Sequence, residues 1–376
     1  MQRSIEQVLA SYNDRAPLAE AWTIPASWYV DPRIAELERL NVFSKTWQLV
    51  ARTDQLLKPG DFVTARLAGE PLVVLRGDDG GLHAFYNVCR HHAAAVVTQS
   101  CGHASILQCP YHGWRYGLDG ALKGMPEFEG VQNFERSEHG LVPVRVEAWE
   151  CFVFVNLDDQ AAPLREFLGG LVQRMAPLGL ANLHYFDRRS YDIRCNWKVY
   201  VDNYLDGGYH VPHLHKALSS VLDYKQYTIE NEDRYCLQSS PMVASGEDAA
   251  TGATRTGDRA RYFWQYPNLM INCYEGYMDT NYVIPVDADH CTVIFDFFFS
   301  DVSEARREFN QQSVDVGNRV QDEDLGICED VQRGLKSRAY GAGRLSVRRE
   351  AGEQLFHRLL AADLKRNPQG ITAAAD

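Results

Sequence analysis

The chain has 376 residues, a net charge of −12 and a pI near 5.5. That length allows two domains, and hydrophobic and aromatic shares of 45% and 11% allow sizeable cores. The acidic balance argues against nucleic acid or an anionic membrane as partner. No apolar run approaches the roughly 20 residues of a membrane span.

The N-terminal stretch "MQRSIEQVLASYNDR" is charged and reads as an amphipathic helix, not as the apolar core of a secretion signal. Nine cysteines, an odd number, with seven of them scattered, predict buried free thiols in a reducing cytoplasm. Residues 1–45 are expected to be mostly helical, broken at Pro25 and Pro32, and to pack on the last domain. From 46 to 157, short alternating runs and Asp-Gly or Gly-Gly turns predict a β-rich domain. From 158 to 376 the texture is mixed. "PLREFLGGLVQRMAPLG" predicts a helix and "HYFDRRSYDIRCNW" a strand. "NWKVYVDNYLDGGYH" predicts a helix weakened by its glycine pair. A set of strands follows through residues 261–300, then a long helix over 303–335 and a last one near 348–365. The expected fold class is α+β: a β-rich domain, then a larger α+β domain whose central antiparallel sheet is flanked by helices.

Two short clusters in the β-rich part carry metal-ligand chemistry. "NVCRHH" holds Cys89 and His91, and "QCPYHGW" holds Cys109 and His112. A classical zinc finger places both cysteines before both histidines. Here each cluster gives one of each, which suits a [2Fe–2S] cluster of Rieske type, two Cys on one iron and two His on the other. A structural zinc site is the alternative. Pro110, Gly113 and Gly117 favour tight loops, and Trp114 and Tyr116 are suited to shield a cluster from water.

A second constellation lies in "VDNYLDGGYHVPHLHK". Two His and one carboxylate on one face of Fe(II) leave positions open for O₂. His210 and His215 are the candidate pair, with His213 the rival of His215. His213 would suit one helix face with His210, but Pro212 interrupts a regular helix. Asp324, on the predicted long helix, is a candidate carboxylate.

"CRHHAAAVV", "CPYHGWRYGLDGAL", "NWKVYVDNYLDGGYHVPHLH" and "EDLGICEDVQRGL" resemble segments of the catalytic α subunit of Rieske non-haem iron oxygenases. The likeness is to the choline monooxygenase and quaternary-ammonium oxygenase branch and covers roughly residues 40–365. It implies a homotrimer in which electrons leave the Rieske centre of one chain for the mononuclear iron of its neighbour. An acid would bridge two histidine ligands, His112 on the donor side and His210 on the acceptor side. Many ring-hydroxylating members place that acid three residues before the first iron-binding His, where this chain has Gly207. Asp206, four residues before His210, is the expected bridge. Asp202 is its rival, and a simple turn-capping role is the bland reading of Asp206. Matching the last segment selects Asp324 over Asp322 and Glu323 as third iron ligand.

No GxGxxG follows a strand, and no plant-type Cys run is present. A separate NAD(P)H-dependent flavin or ferredoxin reductase is therefore expected to supply electrons. The resemblance implies hydroxylation or N-demethylation of a choline-, betaine- or carnitine-like cation. Seven aromatic rings between Tyr262 and Tyr282 could supply cation–π contacts, although most are expected in the sheet core. An aromatic-ring dioxygenase or O-demethylase of the same architecture is the second reading. A Rieske ferredoxin with an appended domain is the third, and His210, His215 and Asp324 argue against it.

Overall fold

Asp61–Leu67 and Glu70–Arg76 show how the β-rich part forms. Their Phe, Val and Leu residues pair across a two-residue turn, Ala68–Gly69, with φ of 50° and 86°. Two positive φ values give the turn the twist that a hairpin requires. Leu72, Val73, Val74 and Leu75 are all fully buried, so this strand is covered on both faces.

The structure, a computed structural model, describes residues 3–243 and 249–368. They divide into two units, 39–167 and a second one formed by the residues up to Glu38 with those from Leu168 onward. In the first unit seven strands form an antiparallel sheet. Their spatial order is Gln48–Arg52, Phe152–Asn156, Pro143–Trp149, Leu82–Tyr86, Glu70–Arg76, Asp61–Leu67 and Cys101–His103. A three-stranded sheet, Leu107–Gln108, Arg115–Tyr116 and Leu122–Gly124, carries the second Cys/His cluster at its first turn. Cys89, Cys109, Trp114 and Tyr116 belong to one buried core with Phe62, Val73 and Phe85.

The second unit is built on another seven-stranded antiparallel sheet. Its order is His184–Ile193, Cys291–Phe299, Tyr277–Pro285, Leu269–Tyr274, Arg259–Gln265, Tyr235–Pro241 and Thr228–Glu232. Gln238 pairs with Tyr262, Tyr262 with Asn272, and Asn272 with Asp279. Cross-strand partners share a face of the pleat. One row of polar and aromatic side chains thus crosses four strands on one side of the sheet.

Three helices bear on that unit's site. Trp197–Leu205 starts at Asn196, whose side chain accepts from the Lys198 backbone N–H. Inside it, Lys198 Nζ lies 2.6 Å from Glu38 Oε1, and both side chains are buried. Trp197 Nε1 donates to the other Glu38 oxygen at 2.8 Å. A buried pair of this kind needs such extra bonds to offset the loss of hydration. It also ties the residues before Glu38 to the site helix. The long helix runs from Arg307 to Leu335, and the last from Ala351 to Arg366.

The helix expected over residues 163–179 is two short ones, Leu164–Leu168 and Leu171–Met175. Gly169 breaks it at φ 55°, a conformation that stops a right-handed helix. All nine cysteines are free, but two are not buried as expected: Cys101 is exposed on an edge strand, and Cys151 is half-buried. Among the described residues no helix is long and apolar enough to cross a membrane.

Candidate metal centres and the adjoining cavity

The two Cys/His loops have the same backbone. Cys89 donates from its N–H to Ala94 O at 2.8 Å and accepts from Ala93 N–H at 3.0 Å. Cys109 donates to Trp114 O at 2.8 Å and accepts from Gly113 N–H at 3.1 Å. The fourth residue after each cysteine is left-handed, Ala93 at φ 59° and Gly113 at φ 72°. The second loop uses glycine, for which that conformation costs least; the first accepts it in alanine. These bonds fix both cysteines by main chain alone.

The loops converge. Burial and the neighbouring Cys89 thiol push the pKa of the Cys109 thiol up, and the Tyr116 hydroxyl is 3.3 Å from Cys89 Sγ. The His91 and His112 rings stand 4.8 Å apart. Trp114 stacks on His91 at 4.7 Å and is buried, while His112 is exposed. His91 Nδ1 is buried without a hydrogen-bond partner. A buried ring nitrogen with no protein partner is available to bind a metal. Two thiols and two imidazoles, one with that available nitrogen, fit a [2Fe–2S] cluster.

In the second unit the helix Trp197–Leu205 ends at Asp206, and Gly207 and Gly208 follow at φ 68° and 67°. A Cβ on Gly207 would lie 2.1 Å from Arg349 O. No residue with a side chain can stand there without moving that carbonyl. Pro212 does not simply interrupt a helix, as expected, but falls in the first turn of a new one, Val211–Leu214, where its missing N–H leaves no bond unmade. That turn carries His213 out to solvent and buries His215.

His210, His215 and Asp324 each bring a ligand atom within 4.8 Å of the others. His215 Nε2 is 3.1 Å from Asp324 Oδ1, and His210 Nε2 is 3.9 Å from the same oxygen. On the far side of each ring stands another carboxylate. Asp206 Oδ2 lies 2.6 Å from His210 Nδ1, and Glu323 Oε2 lies 2.6 Å from His215 Nδ1. Carboxylates placed so fix the ring orientation and direct the other nitrogen to a metal. Burial works against a charge on His215, but the hydrogen bonds and charges of Asp324 and Glu323 prevail, and its pKa stands above the ordinary value. Two imidazole nitrogens and one carboxylate with an open side fit Fe(II).

The rivals fall elsewhere. Asp322 is exposed, and Glu323 meets the outer nitrogen of His215. Asp202 faces away from both imidazoles, held by Tyr29 Oη at 2.5 Å and His357 Nε2 at 3.0 Å. Asp206 also accepts from the Tyr209 and His210 backbone N–H groups at 3.0 and 2.9 Å, so it caps the turn while it holds the ring. Sequence reading gave no role to Asn203, whose Nδ2 donates to Asp324 Oδ1 at 2.8 Å. Nothing in the sequence marked it, since its partner Asp324 lies 121 residues away.

A cavity of about 110 Å³ opens beside the triad. Val316, Gly317, Val320, Gln321 and Asp324 of the long helix line it, a spacing that marks one helix face. Gln238, Tyr262, Asn272 and Asp279, the row crossing the sheet, line it too, with Tyr274 from the same strand as Asn272. Of the seven rings between Tyr262 and Tyr282, only those of Tyr262 and Tyr274 appear among its lining residues.

Residues 46–135 match the Rieske [2Fe-2S] domain, and residues 180–365 match the catalytic domain of the ring hydroxylating alpha subunit. A choline monooxygenase of Arabidopsis thaliana is 41% identical over 96% of this chain and 87% of its own length. The chain is a Rieske non-haem iron oxygenase α subunit of the choline monooxygenase and quaternary-ammonium oxygenase branch. As such the oxygenase is an oxidoreductase that takes a [2Fe–2S] cluster and a mononuclear iron. The carnitine monooxygenase oxygenase subunit of Escherichia coli K12 is 34% identical to it over 92% of this chain and 95% of its own. A quaternary ammonium Rieske monooxygenase crystallised with L-carnitine has 30% identity and a TM-score of 0.81, with 96% of this chain and 99% of the other covered.

Proposed function

We propose that the oxygenase hydroxylates or N-demethylates a small quaternary ammonium compound of the choline, betaine or carnitine kind. The observation that carries the reading is the cavity: the His210, His215 and Asp324 set opens onto a space walled by tyrosine rings and a buried Asp279. A quaternary ammonium has no N–H to donate. It is held by ring faces, at about 0.5–2 kcal/mol each, and by diffuse negative charge. The names of the relatives point the same way.

In this reading Cys89, His91, Cys109 and His112 hold the cluster, and His210, His215 and Asp324 hold the iron. When bound, the cluster would supply single electrons and the iron would supply O₂ activation, one oxygen atom entering a C–H bond and the other leaving as water with two electrons from the reductase and two protons. Asp206, 2.6 Å from the outer nitrogen of His210, holds the ring turned toward Asp324. Exposed His112 suits contact with a second chain, and we take the working form to be a homotrimer in which Asp206 joins His210 to His112 of the partner subunit. A separate reductase supplies the electrons. Free thiols throughout suit a reducing compartment such as the cytoplasm.

The test is turnover with a reductase and NAD(P)H, measured as product and not as O₂ uptake. Choline, glycine betaine, carnitine and stachydrine are set against aromatic acids. Turnover of a quaternary ammonium compound is expected. A neutral isostere with carbon in place of nitrogen should bind several-fold more weakly, in line with one or two cation–π contacts. Preference for an aromatic acid would overturn the reading.

A further inference from the structure

We propose that Glu353, His357 and Asp202 form a buried proton store behind Asp206, and that emptying the store at alkaline pH slows electron arrival at the iron. The store stands apart from the substrate cavity; its effect on transfer rests on the bridging role given to Asp206 above.

The three residues come from two helices. Glu353 and His357 stand one turn apart on the last helix, and Asp202 lies on the site helix one turn before its C-cap, Asp206. A side-chain nitrogen or oxygen of each lies within 4.8 Å of those of the other two. His357 is fully buried, and Glu353 is 6% exposed. His357 Nε2 is 3.0 Å from Asp202 Oδ1 and 3.9 Å from Glu353 Oε1. Tyr29 Oη donates to the other Asp202 oxygen at 2.5 Å. Asp202 thus meets two donors, which suits an ionised carboxylate. Among the described residues the Glu353 carboxyl meets His357 at 3.9 Å and makes no hydrogen bond.

Beyond the proton on His357 Nε2, this group can hold one more. It has two seats, His357 Nδ1 and Glu353. Nδ1 is buried with no hydrogen-bond partner, so a proton there would make a buried cation with an unmade bond. The proton therefore belongs to Glu353. The same nitrogen speaks against a metal in this place, because coordination at Nε2 would send the ring proton to Nδ1, where nothing accepts it. The surroundings agree. Burial holds the Glu353 pKa well above the ordinary value, and the charges of Asp202, Glu350 and Asp206 add to it. Its place in the first turn of a helix favours the anion, but by at most about 2 kcal/mol. Tyr29 and Tyr12 also face the group, and burial keeps both hydroxyls protonated. The cations of the same elements are engaged or exposed. Lys198 pairs with Glu38, Arg349 donates to the Gly207 and Tyr224 carbonyls, and Arg348 and Arg358 lie in solvent.

The link to transfer is reciprocal. Charge at Asp206 opposes a charge on Glu353, so a charge on Glu353 opposes further negative charge brought to the same place. An electron arriving beside His210 is such a charge. Asp202, with a side chain 17% exposed, gives the proton a way to solvent. Because the pKa is raised only in the folded chain, the store is full below the unfolded value of about 4.3 and empties as pH rises through the folded value.

The experiment compares the infrared carbonyl bands of protonated carboxylic acids in the iron-loaded parent and in Glu353→Gln. At neutral pH the difference spectrum should hold one such band, which vanishes as pH is raised. In rapid mixing, reoxidation of the reduced cluster by O₂ with a quaternary ammonium substrate should slow several-fold over the same pH range in the parent and stay level in Glu353→Gln. Asp202→Asn removes a charge that keeps the proton in place. Its band should vanish, and its reoxidation slow, at lower pH than in the parent, and this arm does not need the glutamine variant to fold. Residues that only braced the two helices would shift no pH profile. The lack of a Glu353 band at neutral pH overturns the store. A band that titrates while reoxidation keeps one rate, or a glutamine variant that slows with pH as the parent does, overturns its effect on transfer. Normal turnover of Asp206→Asn would remove the bridge instead and leave the band in place.

Discussion

The two candidate metal centres are held in opposite ways. In the β-rich unit the twin loops fix their cysteines by backbone hydrogen bonds, repeated residue for residue around Cys89 and Cys109. In the helical site the backbone only delivers the ligands, and a carboxylate 2.6 Å behind each imidazole sets its direction. The first design depends on main-chain conformation and the second on side-chain charge. Substitutions that alter charge without altering shape should therefore spare the cluster and injure the iron site.

The largest effect separates the two centres outright. Cys89→Ala should abolish the visible absorption of the cluster, because a thiolate ligand has no substitute nearby. His215→Ala should leave that absorption unchanged and abolish turnover. Iron analysis should give about two irons for the cluster and one more for the His210 site. Zinc as the sole metal, in a colourless protein after reconstitution, would defeat both assignments.

Next in size is Asp206→Asn. The amide keeps the volume but loses the charge and one acceptor oxygen. The Tyr209 and His210 N–H groups bond to different oxygens of Asp206, so the amide oxygen can keep one of the two cap bonds. The variant should fold, bind both metals and accept electrons into its cluster, while product formation falls by orders of magnitude. Rapid-mixing reduction followed by product analysis reads both steps. Asp202→Asn, whose carboxylate is turned toward Tyr29 and His357, should do much less to transfer. The reverse ranking would assign the bridge to Asp202.

How much of this was legible follows from how local each feature is. Cys89, His91, Cys109 and His112 lie within 24 residues of one another, and their types and spacing name a chemistry without a fold. The α+β class and the long helix followed from periodicity. His215 over His213 was readable because Pro212 limits the chain, although it does so by starting a turn. Asp324 needed a resemblance, since nothing local ties it to a histidine 109 residues earlier. Glu323 was weighed only as a ligand; its part behind His215 depends on which way adjacent side chains leave a helix.

Two glycines sharpen the comparison on the side of backbone. Gly113 and Gly207 both have positive φ, near 70°. A Cβ on Gly113 would meet Pro126 at 3.4 Å, an ordinary contact, so Gly113→Ala should cost only the left-handed strain of about 1–2 kcal/mol. On Gly207 the Cβ has no room beside Arg349 O, so Gly207→Ala adds a displaced backbone to the same strain. It should lose distinctly more stability, about 3 kcal/mol or more. Thermal unfolding of the pair decides it, and equal losses would mean that the Arg349 carbonyl moves aside freely.

The smallest effect probes charge behind an imidazole without touching a ligand. Glu323→Gln keeps a hydrogen-bond acceptor near His215 Nδ1 but removes the negative charge. Outer carboxylates of this kind typically contribute 10- to 100-fold in metal affinity, or about 1.4–2.7 kcal/mol. Chelator competition for Fe(II) at neutral pH should show a loss in that range, with the cluster spectrum unchanged. The pH dependence gives a second reading. Iron needs neutral His215, and in the metal-free protein Asp324 and Glu323 hold its pKa above the ordinary value. That raised pKa favours the metal-free folded state below the unfolded pKa of about 6.5, an advantage lost as pH rises through the folded value. Iron affinity should accordingly climb with pH through the same window. Removing the charge of Glu323 takes away one of the two supports of that pKa. The climb should then begin at lower pH in Glu323→Gln than in the parent. An unchanged affinity and an unchanged pH profile would show that the 2.6 Å contact orients nothing, and that the helical site is held by its three ligands alone.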